Sequence, residues 1–275
     1  MTDLVVRRLH VDLKNAFERR WNGGDAFRTA LFNALSMSFP LGEQYFIDSL
    51  REGAKILAPQ ERARMDADLR GFIGQEATHR HLHALYNEQL ERQGFNNVFE
   101  RRIARRMKAN AHRNIRIHVA ATAATEHFTA IFANWLMRHP AALEGADARL
   151  RTLWLWHSAE ESEHRSVAFD LYRAIGGDED KRRRVFRYVT FTFLTDLSIQ
   201  TLLNLWHDRS LFRWSTWASA ARLLFGEDGM IRGNLRYWKA YFSPGFHPSL
   251  HDASLSQAWL QQHSDQFTVL DSPSR

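Results

Sequence analysis

The chain has 275 residues, 44% hydrophobic and 25% charged, enough apolar material to bury a substantial core without a disulfide or structural metal. It contains no cysteine, which excludes disulfides, thiolate zinc sites, iron–sulfur clusters, cysteine-ligated iron centres and thiol nucleophiles, so any metal must be held by His, Asp and Glu. Lys and Arg exceed Asp and Glu by 37 to 31, a net charge of +6, but the basic runs at 101–102, 105–108 and 181–184 accompany no nucleic-acid-binding motif, so solvated helix faces are expected and no nucleic-acid partner.

The first 21 residues carry charges every few positions and lack the apolar core of a secretory signal, which predicts a cytoplasmic protein. Apolar residues then recur at intervals of three and four, the helical period, and no strand pattern stands out. A first helix is predicted over about 25–57, disturbed at Pro40, and a second over about 58–92, with Pro59 near its start and Gly94 past its end. A third is expected over about 97–138, with a candidate break near Asn110, and a fourth over about 142–175, closed by Gly176-Gly177. A fifth, over about 179–206, contains the longest apolar stretch, but Asp196, Gln200 and Asn204 interrupt it, so it is expected to be buried or interfacial and not to span a membrane. Beyond it lie irregular, tryptophan-rich segments and a loop at 241–248, where two prolines and a glycine forbid a helix. The expected fold is all-α: one domain over 1–275, with a four-helix core at 25–175 and a helical C-terminal extension at 176–275 packed on it.

Two Glu-x-x-His pairs stand out, Glu76/His79 on the second helix and Glu161/His164 on the fourth. Residues three apart share a helix face, so each pair can present a carboxylate and an imidazole to one metal. With 15 Glu and 14 His in the chain, about one such pair is expected by chance, and a single motif carries little weight. Each pair, however, is preceded one helix earlier by a Glu among small or apolar residues, Glu43 and Glu126, at separations of 33 and 35 residues. Two helix pairs of matching length then place their carboxylates at matching depth, as a pseudo-twofold dinuclear site requires. Four carboxylates and two neutral imidazoles balance two divalent ions, and the oxygen-rich set suits iron or manganese, with zinc less favoured. Without metal, four inward carboxylates would repel one another or take up protons.

Competing readings remain for several positions. Glu43 follows Pro40 by three residues and so also fits a first-turn acid favoured by the helix dipole. His157 lies on the face of Glu161 and His164, with a supporting role behind the ligands ranked first, ahead of a third imidazole ligand or a core histidine. Glu160 competes with Glu161 through its four-residue spacing to His164. Glu163, His81, His83 and His127 have weaker claims, and Tyr45 and Tyr86 are not placed by sequence alone.

The set Glu43, Glu76-x-x-His79, Glu126, Glu161-x-x-His164 resembles the ferritin-like di-iron carboxylate superfamily over about 25–175. More narrowly, Phe-Pro-x-Gly-Glu at 39–43, Gln75-Glu76-x-x-His79, Glu126-His127, the 156–164 segment and Pro-Gly-Phe-His-Pro at 244–248 are similar to a bacterial family of predicted metal-dependent hydrolases. The redox-capable ligand set favours an oxidoreductase, a di-iron enzyme using O2 to oxidise an organic, apolar small molecule. The alternatives are a metal-dependent hydrolase, as that family's description implies, and an iron-storage or non-enzymatic helical protein, the cage form of which is disfavoured by about 100 residues beyond the fourth helix. No catalytic side chain is singled out. The aromatic segment at 185–242 is expected to line an apolar substrate tunnel, form a homodimer face or lie against a membrane surface, an enlarged core being the plainest reading.

Overall fold

The computed structural model describes residues 4–250 and 252–270. It is all-α, as predicted. The first helix, α1 (Ala26–Ala54), begins where the Asp25 carboxylate accepts from the Arg28 backbone N–H at 2.9 Å and runs through Pro40 without ending. Helix α2 (Pro59–Arg92) starts with proline in its first turn, where a missing N–H is harmless. The two are antiparallel neighbours: Tyr86 meets Asn33, and His83 and Asn87 meet Ser36.

The predicted third and fourth helices are each divided. The third becomes α3 (Val98–Asn110) and α4 (Ile115–Arg138), with Asn114 capping the restart by accepting from Arg116 N–H at 2.9 Å. The fourth becomes a 3-10 turn at Pro140–Leu143, then α5 (Ala148–His164) and α6 (Val167–Ala174), with no glycine or proline at the α5–α6 junction to announce it. Helix α7 (Glu179–His207) lies along α1 and α4, and α8 (Trp214–Phe225), α9 (Met230–Ala240) and α10 (Ser254–Gln262) follow.

The expectation of no strand needs correction, because β1 (Arg7–Leu9) pairs antiparallel with β2 (Phe267–Val269). At three residues each, these strands are too short to show a period in sequence. Their segment lies across α2 where glycine permits close approach. A Cβ built on Gly71 would stand 2.3 Å from the Leu4 Cβ, and one on Gly74 would stand 2.3 Å from a Val6 methyl. Gly71→Ala is expected to displace this strap and lower stability by about 1–3 kcal/mol, measurable by urea denaturation.

Two apolar clusters form the core. One gathers Phe32, Leu150, Trp154 and Trp156, and the other Leu50, Phe72, Val119 and Phe169. The residues singled out for metal binding lie where these clusters meet: Phe72 packs on the His164 ring at 4.8 Å, and Trp156 on His79 at 4.9 Å. No helix among the described residues is long and apolar enough to cross a membrane.

Candidate metal centre

Four helices bring the six predicted ligands together: Glu43 from α1, Glu76 and His79 from α2, Glu126 from α4, and Glu161 and His164 from α5. All six are buried, none more than 4% exposed. His164 Nε2 stands 3.1 Å from Glu76, 3.3 Å from Glu126 and 3.4 Å from Glu161. His157 joins them, its Nε2 being 2.8 Å from Glu161 Oε1 and 3.9 Å from Glu43 Oε1. Donor atoms within 4.8 Å of one another form three overlapping groups: Glu76, Glu126 and His164; Glu76, His79 and Glu161; and Glu43, His79 and His157.

The decisive feature is how little protein satisfies these atoms. Both carboxylate oxygens of Glu43, Glu76 and Glu126, one of Glu161, Nδ1 of His79 and Nε2 of His164 are buried without a hydrogen-bond partner. Every predicted ligand contributes at least one such atom. Buried polar groups in folded proteins are nearly always paired, and carboxylate and imidazole atoms left unpaired around a common space are a donor set that could hold a cation.

The electrostatics agree. Burial, then the carboxylates of Glu76, Glu161 and Glu126, hold the Glu43 carboxyl well above the usual range. Burial, then Glu161 and Glu76, does the same to Glu126, and burial also raises Glu76. Burial would raise Glu161 too, but the His164 and His157 rings pull it well below. His164 is held well above the ordinary imidazole range because Glu161 and Glu126 outweigh its burial. Protons on these groups thus compensate the charge that a bound cation would neutralise.

Hydrogen bonds on the outer side of each ring decide which nitrogen faces the cluster. The Gln75 amide N–H2 donates to the Val5 carbonyl at 2.9 Å and to Glu163 at 2.8 Å, so its oxygen must accept from His164 Nδ1–H at 2.9 Å, leaving Nε2 toward the carboxylates. For His79 the outer atom is Nε2, 3.0 Å from Glu160, whose other oxygen accepts from Arg7 at 2.9 Å. Glu160 therefore stands behind His79, while Glu161 faces the cluster. Burial pushes Glu160 up to about 8 against the pull of Arg7.

His157 is oriented by a longer chain. Pro40 has no N–H to offer the Ser36 carbonyl one turn earlier, and the Asn87 side-chain N–H2 donates to that carbonyl instead, at 2.9 Å. The Asn87 oxygen then accepts from the Ser36 hydroxyl at 2.8 Å, and the hydroxyl accepts from His83 Nδ1–H at 2.9 Å. His83, which burial and then His157 keep well below the ordinary imidazole range, is neutral and accepts at Nε2 from His157 Nδ1–H, at 2.8 Å. This leaves His157 Nε2 directed at Glu161 and Glu43. Ser36→Ala breaks the relay. Metal affinity is expected to fall about 10- to 100-fold, read by competition with a chromophoric chelator, as for other groups that orient metal-binding imidazoles.

Sequence reasoning did not find Arg7, Ser36 or Asn87, because none belongs to a spaced motif, and it named Gln75 only as part of the Gln75-Glu76-x-x-His79 motif, without a role. The weaker candidates lie elsewhere: His81 is exposed, Glu163 pairs with Arg7 and Gln75, and His127 Nε2 donates to the Tyr237 carbonyl at 3.0 Å. Tyr86 donates to Asn33 at 2.5 Å, and Tyr45 meets His118 Nδ1 at 2.8 Å.

Two cavities reach the cluster from either side of Phe39, Thr129 and Phe193, which line both. The first, about 310 Å³, has Glu161 and His157 in its wall, together with Phe132, Leu197 and Trp238. The second, about 420 Å³, includes Glu43 and Tyr45 and carries Arg106, Arg113 and Arg184.

Comparison with curated proteins and with solved structures returns no match. A family model described as "predicted metal-dependent hydrolase" matches residues 5–252. This overturns the expectation of an O2-using oxidoreductase. Carboxylate and imidazole ligands serve redox-active and redox-inert divalent ions alike, so the ligand set never distinguished oxidation from hydrolysis. With the match covering nearly all of the chain, from the strap that carries Arg7 to the segment before α10, the protein belongs to the predicted metal-dependent hydrolase family.

Proposed function

We propose that the protein is a dinuclear metal-dependent hydrolase of a small organic substrate with an apolar part. The observation that carries this is the convergence of unpaired buried carboxylate and imidazole atoms from all six predicted ligands. His164 with Glu126 would hold one ion, and Glu43, His79 and His157 the other, with Glu76 and Glu161 between them. His157 is thus assigned as a third imidazole ligand, and Glu160 as the group that orients His79. When bound, divalent ions supply Lewis acidity toward the scissile group and acidify a water molecule.

The chain's own contribution is placement. The outer nitrogen of each imidazole, Nδ1 of His157 and His164 and Nε2 of His79, is tied to protein, so the inner nitrogen is the one turned toward the cluster for a metal to take. The apolar cavity seats the hydrocarbon part of the substrate against Glu161 and His157 and excludes water from that side. The cavity at Glu43, with its three arginines, admits water and releases the polar product.

Protein stripped by a chelator and reloaded with Zn(II), Mn(II) or Fe(II) would be assayed on p-nitrophenyl esters of increasing chain length, with and without oxygen. Hydrolysis restored by metal, unaffected by removing oxygen and rising with chain length, is expected. Absence of metal-dependent turnover on any hydrolysable ester, amide or phosphoester would overturn the proposal.

A further inference from the structure

Helices α7 and α9 expose an apolar face that the metal centre does not explain. On α7 the exposed side chains Tyr188, Phe191, Leu194, Leu202 and Trp206 follow intervals of three, four or eight residues, so they form one stripe. Phe191 is 71% and Trp206 62% exposed, and the Trp206 ring packs on Phe212, itself 85% exposed. Two α9 residues, Ile231 and Leu235, are also exposed. Leu194, Ile231 and Leu235 line the apolar cavity as well, so the exposed face borders the cavity that has Glu161 and His157 in its wall.

The charge around this face is predominantly positive, with Glu227 and Asp228 the exposed exceptions. Residues 181–241 hold eleven Lys and Arg against four Asp and Glu. Two of those acids are already engaged: Asp196 is buried with Arg102 and Arg106, and Asp208 pairs with Arg19 and Arg20. Arg187, Arg209, Arg213, Arg232 and Arg236 are exposed on the same segments, Arg187 lying over the Phe242 ring and Arg236 over Tyr237. Exposed Trp and Phe bordered by arginine suit the boundary between lipid headgroups and acyl chains. A second copy fits less well, because a twofold interface would set this basic rim against itself.

We propose that this face docks on an anionic lipid bilayer and that the apolar cavity takes its substrate, a membrane-borne amphiphile with a hydrolysable bond, directly from the lipid. The docking stands on the surface alone, whereas the substrate class rests on the hydrolase proposal. No described helix is long and apolar enough to cross the bilayer, so the protein lies on the surface.

The test is sedimentation of the intact, metal-loaded protein with vesicles of phosphatidylcholine alone or with added phosphatidylglycerol, alongside sedimentation velocity without lipid. Expected are binding to anionic vesicles at least about tenfold stronger than to neutral ones, weakening with salt, and about tenfold loss in both Phe191→Ser/Trp206→Ser and Arg187→Glu/Arg232→Glu. These four positions are exposed and away from the metal centre, so turnover of a short soluble ester should be unchanged, while turnover of a long-chain ester presented in vesicles falls. Binding without hydrolysis of any ester would uphold docking and overturn only the substrate class. Metal-dependent ester hydrolysis without vesicle binding would overturn docking, as would a stable dimer that Phe191→Ser/Trp206→Ser converts to monomer without any lipid affinity.

Discussion

Loading the metal-stripped protein with a divalent ion is expected to raise its melting temperature by about 15 °C or more at pH 8, and by much less at pH 5.5. The size follows from the two proposed sites, each contributing about 4 kcal/mol when metal is present at a thousandfold over its dissociation constant, with roughly 2–4 °C per kcal/mol for a chain of this length. The pH dependence has two parts with the same sign. The Glu43, Glu76 and Glu126 carboxyls are raised in the folded protein, so each stabilises the metal-free fold below its unfolded value and loses that contribution as pH rises through the folded one. The metal-free protein therefore weakens on the alkaline side. Metal must also displace the protons these carboxyls hold, together with the one on His164, so its binding releases protons and weakens as pH falls. Calorimetric melts of stripped and loaded protein across this range provide the measurement. A gain independent of pH would mean that the metal displaces no protons from these carboxyls.

Glu126→Gln should act oppositely on the two forms. In the metal-free protein at pH 8 it replaces a carboxyl that burial, then Glu161 and Glu76, force to take up a proton on folding with a neutral amide that needs none, so the melting temperature should rise, by an amount equivalent to about 1–3 kcal/mol. In the presence of metal the same change removes an anionic group proposed as a ligand. The affinity of the site at His164 should fall at least about a hundredfold, and turnover with it. A merely structural glutamate would show one sign in both forms. Stripped and loaded melts of the two proteins, paired with a metal titration, read both effects, and a variant destabilised without metal and unimpaired in binding it would exclude Glu126 from the centre.

The pieces legible in sequence were those with a period or a spacing. The Glu-x-x-His pairs lie on single helix faces, and the 33- and 35-residue offsets reflect the antiparallel pairing of α1 with α2 and of α4 with α5. The divisions at 111–114 and 165–166 were harder to see, the first only hinted at by Asn110 and the second free of any breaker, because tertiary packing outweighs local preference there. The choice between Glu160 and Glu161 was beyond spacing alone. It depends on Arg7, some 150 residues away in sequence, which pairs with Glu160 and holds it on the outer side of His79. The orientation of His157 depends on a carbonyl freed by Pro40 and used by Asn87, a link between two helices that no linear pattern records. The error over reaction type has a different origin. Donor atoms specify what can bind a divalent ion, while the reaction depends on which ion binds and what the cavities admit.

The most direct test of the proposed dinuclear centre is the metal content of stripped protein titrated anaerobically with Mn(II) or Zn(II), desalted and assayed by plasma mass spectrometry. Two ions per chain in the native protein, falling to one or fewer in Glu126→Gln and in His157→Ala, is the predicted result. Substoichiometric metal in the native protein, or two ions retained in both variants, would contradict it.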